Sequence, residues 1–317
     1  MTDDFLDLAN HWPTLANAAK AAQIGQTLPE RHENYLDYYR LRFASKHRYL
    51  FGKLSTQGYQ IAVQSWQPEN PRGTAVVVHG YWDHTGLYHH LIRHLINLGF
   101  NVVAYDEPGH GLSSGARIEI DSFTTYTRVF EDIIEQIQDT LQLTGPQIAI
   151  GQSTGGAVIF DYLFTHPDHN FAKTLLLAPL IRIKSWGFVG NAHSLVYPWL
   201  KYFPRSLHQV GSHDKEFANF LRTDPLQFNK VSMKWIAALK EWIARFNSFE
   251  SNSSEIIYIQ GDDDQTVDWT YNLPLAQEKM PNLTAEIIMD AQHNLVNESD
   301  YYRNQVMAII EKELLAY

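Results

Sequence analysis

Apolar positions fall in two rhythms along this chain. Two β-rich runs, at about 47–56 and 59–66, are separated by Gly58, the spacing of a hairpin. Beyond them, short apolar runs alternate with longer stretches of helical period. Thr74–His79 precedes a helix expected from about Tyr88 to Leu98, and Phe100–Tyr105 precedes one from about Phe123 to Leu143. Gln147–Gly151 precedes a helix from Gly155 to Thr165, and Lys173–Ala178 follows as a strand. Such alternation predicts βαβ units and a mostly parallel sheet. It stops across 182–251, where helical pieces are broken by Pro198, Pro204 and Pro225. It resumes with strand Glu255–Gln260, a helix from Trp269 to Lys279, strand Thr284–Met289 and a last helix from Ser299 to Leu315. The pattern predicts an α/β core in two parts, 47–181 and 252–317, with a helical lid, 182–251, inserted between two strands. A helical extension with an aromatic end, 1–46, comes first.

The sharpest local feature is Gly151-Gln152-Ser153-Thr154-Gly155-Gly156, lying where a predicted strand runs into a predicted helix. Gly-x-Ser-x-Gly at such a turn lifts a Ser hydroxyl above the sheet, because the glycines remove side chains that would clash there. A hydroxyl needs a neighbouring base to act as nucleophile. On this layout the partners follow in the order Ser, acid, His. Fourteen of the fifteen histidines lie at or before His213, which leaves His293 as the base. The acid is sought in Gly261-Asp262-Asp263-Asp264 or at Asp268; Asp264 best fits a loop position facing the imidazole, and the others suit capping of the next helix. The backbone amides of Thr154 and of Tyr81, in the turn after Thr74–His79, are the expected oxyanion donors.

Composition narrows the function further. With 25 Lys and Arg against 35 Asp and Glu, a net charge of −10 argues against nucleic acid as a partner. The chain has no cysteine, so disulfides, thiolate zinc sites and a Cys nucleophile are excluded. The acidic start Met1-Thr2-Asp3-Asp4 does not read as a secretion signal, and no apolar run is long enough for a membrane span; a cytoplasmic protein is expected. His90 and His94 have helical metal-ligand spacing without a third ligand, and the triple Asp lacks the spacing of a calcium loop, so neither metal nor cofactor is expected. In 181–250, 13 of 70 residues are aromatic, against 13% in the whole chain, an enrichment suited to covering an apolar pocket. Trp235, Leu239, Trp242 and Phe246 share one helical face. That stripe reads as core packing, as an acyl-chain wall, or as a weak membrane-surface contact.

Together these residues resemble the α/β-hydrolase superfamily, and within it the monoacylglycerol lipase and lysophospholipase group, also called serine aminopeptidase-like. The motifs that carry the resemblance include His79-Gly80-Tyr81-Trp82-Asp83-His84-Thr85-Gly86-Leu87-Tyr88 and the run from Asp106 to Gly115. Gly151–Gly156, Thr223-Asp224-Pro225-Leu226, Gly261–Asp264 and His293 complete them. It spans about 47–317; residues 1–46 fall outside it. The resemblance implies Ser153 as nucleophile, Asp264 as acid, His293 as base, and Tyr81 and Thr154 as oxyanion donors. It implies a small or lipid-like ester as substrate, with thioesters or short peptides as alternatives on the same triad and a non-catalytic binding homologue as the alternative of another class. Trp82, His84, Leu87, Trp235 and Trp242 are the candidate pocket residues. Monoacylglycerol lipases tend to carry Arg at the position of Leu87, so the polar end of the pocket is expected to differ here.

Overall fold

Eight strands form one twisted sheet: β1 (His47–Thr56), β2 (Tyr59–Pro68), β3 (Thr74–Val78), β4 (Asn101–Tyr105), β5 (Gln147–Gln152), β6 (Phe171–Leu177), β9 (Ile256–Gly261) and β10 (Leu283–Ile288). The computed structural model describes residue 8 and residues 11–23, 30–190, 199–205 and 211–316. Across the sheet the strands lie in the order β1-β2-β4-β3-β5-β6-β9-β10. β2 runs antiparallel to both of its neighbours, and every other pairing is parallel. β1 and β2 close a two-residue turn at Gln57 and Gly58, both at positive φ (49° and 79°), which matches the strand twist.

The central strands are apolar throughout because both faces are covered. Alternate residues of β3 point to opposite faces: Ala75 and Val77 join one core cluster, Val76 and Val78 the other. The first face is covered by α3 (His89–Asn97) and α9 (Asp300–Leu315). The second is covered by α4 (Phe123–Leu141), α5 (Thr154–Thr165) and α7 (Met233–Ser248). α8 (Trp269–Lys279) links β9 to β10. The N-terminal segment contributes α1 (Leu15–Gln23) and α2 (Glu30–Tyr38), and Trp12, Tyr35 and Tyr39 are buried in the first cluster. The described residues of this segment therefore pack as part of the core, a role their helical pattern does not announce.

Between β6 and β9 the described residues include α6 (Lys215–Thr223) and α7, as the helical reading expects. They also include a short antiparallel pair, β7 (Tyr202–Pro204) with β8 (Lys230–Ser232), which that reading misses. Three-residue strands give no measurable alternation, so the sequence carries no signal for them. Tyr197 and Pro198 lie outside the described residues.

The chain passes from β3 to β4 on one side and returns to β5 on the other, so the strand order reverses at β3 and β5. The crevice beyond the carboxyl ends of those two strands is the place such a sheet offers for a ligand. The loop of Gly80 and the turn of Ser153 meet there.

Candidate active site

Ser153 stands between β5 and α5 with φ 52° and ψ −114°, a conformation costing on the order of 1–3 kcal/mol for a residue with a side chain. Three backbone bonds hold it. Its N–H donates to the Leu177 carbonyl at 2.9 Å, and its own carbonyl accepts from Leu180 at 2.9 Å and Ala157 at 3.1 Å. The turn is possible because α5 starts against β3: a Cβ on Gly155 would fall onto the Val78 carbonyl.

The other two groups arrive on the loops after β9 and β10. His293 Nε2 is 3.0 Å from Ser153 Oγ, and His293 Nδ1 is 2.7 Å from Asp264 Oδ2. The Asp264 carboxylate, 1% exposed, is fully engaged. Oδ1 accepts the Thr266 and Val267 amides at 2.7 and 3.0 Å, and Oδ2 also accepts Gln260 Nε2 at 3.0 Å. Burial opposes ionisation of Asp264, and the imidazole and these donors outweigh it, holding the carboxyl below its ordinary range. Burial likewise opposes the His293 imidazolium, but the Asp264 charge and hydrogen bond win and raise its pKa above the ordinary value. The rival carboxylates are occupied elsewhere. Asp262 accepts the Asp290 amide at 2.5 Å, Asp263 faces Gln265 and Gln292, and Asp268 pairs with Arg182 at 2.5 Å.

The amides of Tyr81 and Thr154 have no acceptor among the described residues. Thr154 opens α5, so its N–H is one of the donors a helix cannot satisfy internally. The Gly80–Tyr81 peptide is held from both ends. The Gly80 N–H donates to Tyr88 Oη at 3.1 Å, and the Gly80 carbonyl accepts from His79 Nδ1 at 2.7 Å and from the Asp83 amide at 3.1 Å. His79 Nε2 accepts the Glu107 amide at 2.9 Å, which fixes the ring proton on Nδ1. Burial pushes the His79 pKa down to about 3, so the ring stays neutral. His79 and Asp83 lie in the quoted motif, but only the structure shows that they orient this peptide.

The candidate pocket residues separate. Trp82 is half-buried beside Tyr81, its Nε1 donating to the Lys230 carbonyl at 2.8 Å and its ring 3.9 Å from the Arg205 guanidinium carbon. His84 is buried against Asp224, with 2.9 Å between Nε2 and Oδ2. Leu87 lines a small, partly open cavity with Tyr38, Tyr39, Phe217 and Phe220. Trp235 stacks on Tyr81 at 3.9 Å, and Trp242 stacks on Phe123 while its Nε1 donates to the Leu180 carbonyl at 3.0 Å. Arg205, with no motif around it, was not legible as a site residue. No helix among the described residues is long and apolar enough to cross a membrane.

A family model described as serine aminopeptidase, S33, matches residues 69–300. Over 144 residues the chain is 32% identical to a monoacylglycerol lipase of Mycolicibacterium smegmatis, covering 45% of this chain and 48% of that protein. Over 183 residues it is 31% identical to the monoglyceride lipase of Homo sapiens, covering 55% and 58%. The chain thus spans about half the length of these curated relatives. The solved structure of a soluble variant of monoglyceride lipase from Saccharomyces cerevisiae, in complex with a substrate analogue, shares the fold. Its TM-score is 0.72 at 19% identity, covering 83% of this chain and 94% of that one.

Proposed function

Because this chain belongs to the serine aminopeptidase S33 family of α/β-hydrolases, we propose that it hydrolyses carboxylic esters of monoacylglycerol or lysophospholipid type through an acyl-Ser153 intermediate. The observation that carries the reading is the continuous hydrogen-bonded line from Ser153 Oγ through His293 to the buried Asp264. Ser153 Oγ attacks the ester carbonyl while His293 Nε2 takes its proton. Asp264 keeps the imidazole in the tautomer that accepts at Nε2 and stabilises the imidazolium. The negative charge forming on the carbonyl oxygen is met by the Tyr81 and Thr154 amides. As the C–O bond breaks, His293 returns the proton to the leaving alcohol. Water, deprotonated by the same ring, then releases the acid and restores Ser153.

Residues 182–251 act in this reading as the cap over the acyl chain. Phe188, Trp199 and Phe203 within it are 79%, 89% and 58% exposed, a surface suited to touching an aggregated lipid substrate. The test is covalent. A fluorophosphonate probe should label Ser153 alone, and Ser153→Ala should abolish both labelling and ester turnover without unfolding the protein. Labelling elsewhere, or turnover that survives the substitution, would remove the assignment. The same preparation assayed on acyl-thioesters and aminoacyl amides decides between ester chemistry and the alternatives on this triad.

A further inference from the structure

The Glu298 side chain is fully buried and takes no part in the chemistry above, yet four N–H groups converge on it. Oε1 accepts the Gln292 amide at 2.8 Å and His213 Nδ1 at 2.9 Å. Oε2 accepts the His213 and Ser299 amides at 2.9 and 2.8 Å. Gln292 and Glu298 flank His293, so the bond to the Gln292 amide closes the loop that carries the base. Inside that loop the Leu295 amide donates to the His293 carbonyl at 2.9 Å, and the Asn297 amide to the Asn294 carbonyl at 2.8 Å. The two His213 bonds come from 85 positions away, in the lid.

The same stretch of the lid touches the loop again. The Gly211 carbonyl accepts the Asn294 amide at 2.8 Å, and Ser212 Oγ donates to the Asn297 carbonyl at 2.7 Å. Gly211 has φ 69°, and a Cβ there would stand 3.1 Å from the Cβ of His293, so the lid backbone rests directly on the base. Asp214, the residue after His213, caps α6, its Oδ1 accepting the Glu216 and Phe217 amides at 2.8 and 3.1 Å. We propose that Glu298 and His213 are positioning residues for the base. They lock loop 292–298 onto lid segment 211–214, so that His293 reaches Ser153 only while this end of the lid is seated. A carboxylate suits the place because both of its oxygens offer acceptors alone to the four donors; a glutamine would turn its own N–H groups toward two of them. This rests on the triad reading above and deepens it.

The test uses the full chain, a soluble butyrate ester and the fluorophosphonate probe, with wild type, Glu298→Gln, His213→Ala and His213→Asn, each assayed well below its melting temperature. In Glu298→Gln kcat should fall at least about tenfold with KM within about twofold, since a small misplacement of a catalytic group is expensive. The rate constant for labelling Ser153 should fall by the same factor, because both reactions need the base in reach. The His213 side chain is 38% exposed, so its truncation spares the core. His213→Ala should lose about threefold or more in both rates, and His213→Asn, whose Nδ2 can donate where the ring Nδ1 does, should return most of the loss. A purely structural clamp would lower the melting temperature and leave both rates unchanged; that result overturns the proposal. So does a loss confined to KM, or a His213→Asn no better than His213→Ala. If Glu298→Gln does not fold, the two His213 variants decide by the same criteria. Wild type that labels at Ser153 while the variants keep its rates sinks this inference only. Wild type that neither labels nor turns over the ester sinks the triad reading beneath it.

Discussion

Tyr39 donates a 2.6 Å hydrogen bond to Oδ1 of Asp224, a residue 185 positions away. Asp224 also accepts the Leu226 amide at 3.0 Å, and its Oδ2 takes His84 Nε2 at 2.9 Å. His84 Nδ1 accepts the Gly86 amide at 3.2 Å, so its proton is on Nε2 and points at the carboxylate. One buried acid thus ties the N-terminal segment, the loop after β3 and the segment between β6 and β9 together. Gly86 is required beside it, since a Cβ there would come within 2.6 Å of the Tyr39 ring.

Tyr39→Phe keeps the ring against Gly86 and deletes one donor to a buried carboxylate. Leaving such an acceptor short costs about 1–3 kcal/mol. The urea midpoint should fall accordingly, with the slope of the transition unchanged. An unaltered midpoint would mean that Asp224 is satisfied by His84 and Leu226 alone.

The contribution of this knot was hidden in the sequence for a definite reason. His84 and Asp224 belong to motifs that could be quoted, yet their partnership spans 140 residues and no local period encodes it. Tyr39 lies outside the family-like region altogether. By contrast, the strands from β3 onward were legible because burial on both faces makes them continuous apolar runs. Ser153 and His293 were legible because the nucleophile turn needs its glycines and the histidines ran out after His213. Asp264 could be ranked among four acids only by loop position, whereas the structure shows it alone bonded to the imidazole.

Asp264→Asn should lower kcat by roughly 10³–10⁴, because the amide no longer fixes the accepting tautomer of His293. Asp262→Asn and Asp263→Asn should stay within about threefold of wild type, since those side chains serve the Asp290 amide and nearby glutamines. Steady-state kinetics on one soluble ester compares all three. A dead Asp263→Asn beside an active Asp264→Asn would reassign the acid.

The pH profile follows from the sign of the His293 shift. In the proposed mechanism only the neutral ring accepts the Ser153 proton, so kcat/KM should fall as pH drops through the His293 pKa. That pKa is raised by Asp264, so the acid limb should lie above the ordinary value of about 6.5. In Asp264→Asn the limb should move down. A profile centred well below 6 in the wild type would contradict the buried ion-paired arrangement.

Glu107 predicts a pH-dependent stability. Burial raises its pKa to about 8 despite the Tyr105 hydroxyl at 3.0 Å, against a starting value of 4.5. The folded state holds this proton more tightly than the unfolded one. The favourable contribution is therefore complete below about pH 4.5 and lost as pH rises toward 8. Glu107→Gln cannot ionise, so its melting temperature relative to wild type should climb steadily from pH 5 to pH 8. The full difference should reach a few kcal/mol on the order-of-magnitude scale of such shifts. Parallel stability curves across that range would show that Glu107 is not held protonated.

The last prediction separates two tryptophans of one helix. Trp242 is sandwiched in the core, bonded to the Leu180 carbonyl and stacked on Phe123. Trp242→Ala should cost about 3–5 kcal/mol and leave relative rates on butyrate, octanoate and laurate esters unchanged. Trp235 lies seven residues earlier on the same face but stacks on Tyr81, whose hydroxyl is itself fixed between the Ile118 carbonyl and the Ser232 amide. Removing that ring should loosen the residue whose amide is proposed to meet the oxyanion. Trp235→Ala should then lower kcat by about 10- to 100-fold on all three esters alike, because losing the alignment of one donor weakens transition-state stabilisation whatever the acyl chain. A loss that grows or shrinks with chain length would instead put Trp235 in the acyl wall, and an unchanged kcat would free the Tyr81 amide from its influence.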